Sequence, residues 1–294
     1  MKRVLALGFF DGVHIGHGKL LLRAAGQAGE RGISACALTF AQHPLSVVKG
    51  RPVPLLCGEA ERELFIKELY GVPEVSALPF DRAMMRMPWR DFIQDILIGR
   101  MGAAHVVAGH DFTFGHRGEG TPALLEAALA EKGIGCDILP PERIRGIRVS
   151  STYIRGLVAG GDMEQAAEFL GHAYRFSGKV AKGSGLGRQL GFPTANIPLP
   201  PERQWMPWGV YATRVLWKGG AYPSVTNVGL RPTIGAADAP AVESTLLDFS
   251  ENLYGGQISV LFDRFLRPER RFPSAEALRE QIRRDVASAQ GTEG

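Results

Sequence analysis

The chain changes texture near residue 170, and that change constrains its fold more than any single motif. Before it, strand-length apolar runs (4–9, 34–40, 75–78, 105–108 and 136–139) alternate with helix-length amphipathic ones (14–31, 59–70, 89–101 and 122–132). Strands joined by helices of that length make right-handed crossovers and therefore a parallel, helix-covered sheet. Beyond it come short β-rich runs cut by Gly and Pro, at 176–181, 209–217, 223–228, 243–247 and 257–266, and helical period returns only at 275–287. That pattern predicts a small antiparallel β-barrel closed by a helix. The expected class is α/β plus β, with one domain over 1–170 and a second over 171–294. At 294 residues, 45% of them apolar, the chain is long enough for two separate cores.

The net charge of +4 comes from scattered Lys and Arg, and the β-rich part has no ladder of aromatics on one face, so no nucleic-acid partner is expected. Anionic small molecules suit the balance as well. The three cysteines, Cys36, Cys57 and Cys136, lack C-x-x-C spacing and sit among apolar residues. They read as reduced thiols in a cytoplasmic protein, without a disulfide framework or zinc site. The apolar N-terminus ends at Asp11 without a cleavage pattern, and no later run has membrane-spanning length. A monomer or weak homo-oligomer is expected.

The segment Gly8-Phe9-Phe10-Asp11-Gly12-Val13-His14-Ile15-Gly16-His17 joins the first strand to the first helix. On a helix His14 and His17 stand one turn apart on one face. Gly12 and Gly16 permit close backbone approach, and the helix N-terminus attracts an anion. The pair is a phosphate site, a metal site or a helix cap. Far along the chain, Val149-Ser150-Ser151-Thr152-Tyr153-Ile154-Arg155 sets hydroxyls at a helix start and Arg155 three residues beyond Thr152, an arrangement equally suited to an N-cap or an anion cradle. Together the two segments resemble the H-x-G-H and I-S-S-T-x-x-R signatures of the nucleotidyltransferase superfamily, with Val149 in place of isoleucine. The resemblance implies that Gly8, Phe9, Asp11, Gly12, His14, Gly16, His17, Ser151, Thr152 and Arg155 bind ATP, with the histidines and Arg155 acting on the transferred and leaving phosphates. Asp111, Phe112 and Phe114 lie on a loop expected at the same rim, where the aromatics either stack on a planar acceptor or anchor the loop in the core.

In the second part, Gly178-Lys179 through Gly183, Gly187 and Arg188 form a glycine-dense basic stretch, a weak indication of a phosphate flap. Thr194 and Asn196 are hard oxygen donors two positions apart, which in an extended chain point the same way and suit one Mg²⁺. Glu243 opens an apolar strand and is either solvent-facing or a base turned into a pocket.

The motif order is similar to that of the bacterial bifunctional riboflavin kinase and FMN adenylyltransferase family, the prokaryotic FAD synthetases. It runs H-x-G-H, T-F-x-x-H-P (Thr39 to Pro44), D-F-x-F-G (Asp111 to Gly115), S-S-T-x-I-R, L-G-F-P-T-A-N (Leu190 to Asn196), G-V-Y-A, N-V-G-x-R-P-T, L-L-D-F and L-Y-G. The resemblance spans essentially the whole chain. It implies a Rossmann-like nucleotidyltransferase domain that adenylylates FMN to FAD, and a kinase barrel that moves the γ-phosphate of ATP to riboflavin. It further implies Mg²⁺ at Thr194 and Asn196, Glu243 as general base, and Arg267 near the flavin. Ala41-Gln42, Leu186 and Thr245 depart from the family's usual Asp-Pro, Arg and His. Two other readings are a transferase with a scaffold barrel, which leaves Thr194, Asn196 and Glu243 unexplained, and a barrel that only binds a ligand.

Overall fold

In the computed structural model the described residues are 1–181, 194–231, 239–247, 249 and 251–291. The chain divides into two compact units, Met1–Ser151 and Thr152–Gly294.

The first unit holds β1 (Arg3–Leu7), α1 (Ile15–Arg31), β2 (Ser34–Phe40), α2 (Pro44–Lys49), α3 (Glu59–Tyr70), β3 (Glu74–Leu78), α4 (Arg82–Arg86), α5 (Trp89–Asp91), β4 (Ala103–Gly109), α6 (Pro122–Ala130), β5 (Gly135–Leu139) and a small hairpin, β6 (Arg143–Ile144) and β7 (Ile147–Arg148). Its sheet has the order β3-β2-β1-β4-β5, every pair parallel. Order reverses between β1 and β4, and in such sheets a ligand crevice opens beyond the carboxyl ends of the strands at that reversal. Alternate residues of β1 feed opposite cores: Leu5 and Leu7 pack with Val106 and Ala108, Val4 and Ala6 with Leu21 and Phe65. Burial of both faces explains why these strands read as unbroken apolar runs. Two expectations are corrected. The first helix begins at Ile15, with His14 as its extended N-cap. The helix expected at 89–101 becomes α5 followed by a π-helix, Phe92–Arg100, which buries Phe92, Ile93, Ile96 and Leu97.

In the second unit α7 (Ser151–Gly160), which starts at the division, and α8 (Met163–Leu170) precede β8 (Tyr174–Lys179), β9 (Thr194–Pro198), β10 (Gly209–Trp217), β11 (Gly220–Arg231), β12 (Ala239–Leu246), β13 (Gln257–Pro268) and α9 (Ala275–Gln290). The sheet order is β8-β13-β10-β11-β12-β9, all antiparallel. It curls into a half-barrel whose edges meet where the Ala181 N–H donates to the Asn196 carbonyl at 2.8 Å. The close approach needs Gly178, since a Cβ there would lie 2.2 Å from Ile197 Cγ2. Strands β10 and β11 are longer together than expected, because Lys218 (φ 46°) and Gly219 (φ 82°) make a two-residue turn whose twist matches the hairpin.

The interior of this sheet is part apolar, with Tyr211, Val215, Val260 and Phe262, and part hydroxyl. Thr213 bonds Ser224 at 2.8 Å and Thr226 at 2.7 Å, and Thr226 bonds Ser244 at 2.7 Å. All four are buried, so the hydroxyls satisfy one another across three strands. They also fix register, because a one-residue slip would move each to the opposite face.

Candidate active sites

The loop after β1 is bent by residues in left-handed conformation, Phe10 (φ 59°), Gly12 (φ 76°) and Val13 (φ 42°). A side chain in that region costs of order 1–2 kcal/mol, so the surroundings must hold the loop. They do so at Phe9, Asp11 and Gly12. The Phe9 carbonyl accepts from Thr39 Oγ1 (3.0 Å) and Arg62 Nη1 (3.2 Å). Asp11 Oδ1 accepts the N–H groups of Leu56 (2.8 Å) and Cys57 (3.3 Å), Cys57 Sγ accepts from Gly12 N at 3.1 Å, and Ser151 Oγ donates to the Asp11 carbonyl at 3.0 Å. The Phe9 ring contacts both the Arg62 guanidinium, 4.4 Å away, and the His43 ring, 4.5 Å away.

His14 and His17 stack at 3.6 Å between centroids and 11° between planes. His14 Nδ1 accepts from the His17 N–H at 3.2 Å, which both caps α1 and places the proton of a neutral His14 on Nε2. Capping and a donor role thus coexist in one side chain. His17 is held well below the usual imidazole range, first by burial, then by His14 and by Arg62. Its buried Nδ1 has no hydrogen-bond partner among the described residues. The pair therefore stands at the head of a helix, where N–H groups and dipole already favour an anion, with His17 held neutral.

The structure gathers Gly8, Phe9, Gly12, His14, Gly16 and His17 in this loop and brings Ser151 to it. Asp11 is a buried residue, 2% exposed, and its carboxylate holds the 56–57 backbone. Thr152 and Arg155 follow in α7, in the second unit, with Arg155 Nη2 donating to Thr152 Oγ1 at 3.1 Å. Of the two readings of the loop aromatics, Phe114 takes that of a core anchor, buried against Phe92 at 5.4 Å. Phe112 packs on Phe114 at 5.6 Å, and exposed Asp111 pairs with Arg148.

In the second unit a cavity of about 660 Å³ opens between the sheet and α9. Glu243 stands on its wall, paired across the strands with Asn227 on one side and Asn196 on the other, and Thr194 Oγ1 donates to Glu243 Oε1 at 2.7 Å. Thr194, Asn227 and Thr245 share the wall. Asn196 lies on the same sheet face but is 2% exposed and outside the cavity lining. Arg267 lines the far side, tied to Asp285 of α9 by Nη2 to Oδ2 at 2.7 Å and Nε to Oδ1 at 2.9 Å.

Gly178 and Lys179 are paired residues of β8, within the strand run expected at 176–181, and Gly178 serves the barrel seam. Gly183, Leu186, Gly187 and Arg188 lie outside the described residues. Sequence reasoning missed Arg62, which reads as an ordinary helix-surface charge, and Asn227 and Asp285. Asn227 sits inside a recognised motif, but only strand register shows that it faces Glu243.

Two family models divide the chain much as the sites do: FAD synthetase matches residues 1–153 and riboflavin kinase residues 170–292. The bifunctional riboflavin kinase/FMN adenylyltransferase of Pseudomonas fluorescens is 35% identical over 286 residues, 97% of this chain and 91% of that protein. Its Bacillus subtilis counterpart is 36% identical over 293 residues, 98% and 92% of the two chains. The chain belongs to the bifunctional riboflavin kinase/FMN adenylyltransferase family. This bifunctional enzyme phosphorylates riboflavin to FMN in its C-terminal part and adenylylates FMN to FAD in its N-terminal part, with ATP as co-substrate of both steps. The family assignment excludes the scaffold-barrel and binding-module readings. The crystal structure of a macrolide-efflux protein from Streptococcus pneumoniae matches with a TM-score of 0.86 and 27% identity, covering 98% of this chain and 94% of that one. Among the described residues of the bifunctional enzyme no helix is long and apolar enough to cross a membrane.

Proposed function

We propose that the two activities are carried by the residues of these two sites, in domains spanning 1–170 and 171–294. In the kinase, Glu243 takes the proton of the riboflavin 5′-hydroxyl as that oxygen attacks the γ-phosphorus of ATP, and ADP leaves. A neutral alcohol is a poor nucleophile, so a positioned carboxylate is what the step requires. The observation that carries this assignment is Glu243 on the cavity wall, between Asn196 and Asn227 and hydrogen-bonded to Thr194.

The Thr194 hydroxyl beside the Glu243 carboxylate is a hard-oxygen set of the kind Mg²⁺ takes, and no cluster of three or more His, Cys, Asp or Glu suited to a metal occurs among the described residues. Such a site suits an ion held largely by substrate phosphates, with Thr194 as its protein ligand. Bound there, Mg²⁺ neutralises phosphate charge. Buried Asn196 contributes by flanking Glu243. Arg267, held by Asp285, contributes to the flavin end of the cavity.

In the adenylyltransferase the nucleophile is the phosphate of FMN, already an anion, which attacks the α-phosphorus of ATP as pyrophosphate departs. No nucleophilic side chain is needed, and positioning with charge stabilisation carries the rate. His14 and His17 donate to the phosphates, and Ser151, Thr152 and Arg155 add hydroxyls and a cation. The protein is cytoplasmic, where ATP is abundant, and acts as a monomer or weak homo-oligomer. Chromatographic separation of flavins after incubation with riboflavin and Mg·ATP tests the split. Glu243→Ala should make no FMN from riboflavin yet convert added FMN to FAD, and equal loss of both steps would overturn the assignment.

A further inference from the structure

Arg62 is a charged group that the reaction scheme above leaves unexplained. Its residue is 2% exposed, near the N-terminus of α3. Its Nη1 and Nη2 donate to the carbonyls of Phe9 (3.2 Å) and Phe40 (2.9 Å), at the carboxyl ends of β1 and β2, and its guanidinium covers the Phe9 ring. It makes no ion pair among the described residues. Asp11 and Glu59 attract its charge from nearby without pairing with it directly, Asp11 accepting the N–H groups of Leu56 and Cys57.

A cation in this place is unfavourable twice over, being buried without a direct ion pair among the described residues and set toward the positive end of a helix dipole. Burial draws its pKa down, but a guanidinium remains protonated. A neutral side chain of similar shape would serve the packing better. The charge makes sense when an anion arrives on the loop that Arg62 holds.

We propose that Arg62 is a positioning residue for adenylyl transfer: its buried charge, bonded to carbonyls and not to a carboxylate, readies the His14–His17 loop for a polyphosphate, while its carbonyl contacts lock that loop across β1 and β2. The same charge disfavours protonation of His17. The loop therefore meets its ligand with His17 held neutral and, behind it, a permanent cation that pH does not remove. This inference rests on the assignment of His14 and His17 as phosphate-binding groups.

The full-length chain provides the test, with riboflavin phosphorylation as internal control. In the reverse reaction, FAD and pyrophosphate giving FMN and ATP, Arg62→Met should raise the pyrophosphate KM about tenfold, less than the ~100-fold expected for a direct donor. Arg62→Lys should stay within about threefold of wild type, charge being kept. The NMR titration midpoint of the His17 ring should rise in Arg62→Met and not in Arg62→Lys, a change that loosened packing alone would not reverse with charge. A wild-type pyrophosphate KM and His17 midpoint in Arg62→Met would overturn the proposal. If Arg62→Met unfolds the first unit, seen as collapsed histidine dispersion, Arg62→Lys decides: near-wild-type KM supports the role of charge, and loss equal to that of Arg62→Met overturns it. Pyrophosphate added to wild type separates the two levels, because unmoved His14 and His17 signals at saturation would remove the site assignment itself.

Discussion

The two active sites solve the handling of phosphate in opposite ways. The proposed adenylyltransferase site is a bent loop whose backbone is pinned from behind by side chains of residues 39, 57, 62 and 151. The proposed kinase site is one face of a regular sheet, in which Glu243, Asn227, Asn196 and Thr194 are placed by register. A nucleophile that is already charged needs donors and a shaped approach, which a strained loop supplies. A hydroxyl needs a base at a defined point, and a rigid strand supplies that.

If this contrast is right, the largest effect comes from the base. Glu243→Gln should lower riboflavin phosphorylation by about 10²–10⁴-fold and leave FMN adenylylation untouched, as read from separate initial rates. Next, His17→Ala should slow adenylylation by about 10²–10³-fold, the usual cost of one donor to developing charge, without effect on the kinase. A crossed effect from either variant would break the comparison.

Smaller effects sharpen it. Thr226→Val leaves Thr213 and Ser244 short of a buried partner at a cost of about 1–3 kcal/mol. Calorimetry should show the C-terminal transition falling by several degrees while the N-terminal one stays. Acid should act on the other unit. The folded pKa of His17 lies below its ordinary 6.5, so below pH 6.5 the unfolded chain takes up a proton that the folded chain refuses. Stability of the first unit should then fall with pH by at most about 1.4 kcal/mol per unit. Urea titrations between pH 7 and 5 check this, and His17→Gln should flatten that part of the dependence.

The fold was legible because both halves carry strong period: unbroken apolar strands between helices in one, short alternating strands in the other. Element ends were less so, since β11 depends on a Lys-Gly turn and the π-wound segment has no period of its own. The catalytic candidates were legible because their chemistry is rare outside sites: a His pair after a strand, a Thr-x-Asn with a distant strand Glu. What stayed hidden depends on contact at a distance. Asp11 looks like a ligand until its carboxylate meets residues 56 and 57, Phe114 looks like a stacking platform until it meets Phe92, and Arg62 looks like solvated surface until it is buried behind Phe9.

The hydroxyl row of Thr213, Ser224, Thr226 and Ser244 has a further consequence. On β11 and β12 the odd-numbered residues Val225, Asn227, Glu243 and Thr245 face the cavity, and the even-numbered Ser224, Thr226 and Ser244 face inward. Two independent texts are thus written on the same strands, one in each parity. A saturation scan should read them apart with a period of two, turnover lost at one set of positions and folded yield at the other. Related enzymes can then revise what the cavity accepts without rewriting what holds the barrel together.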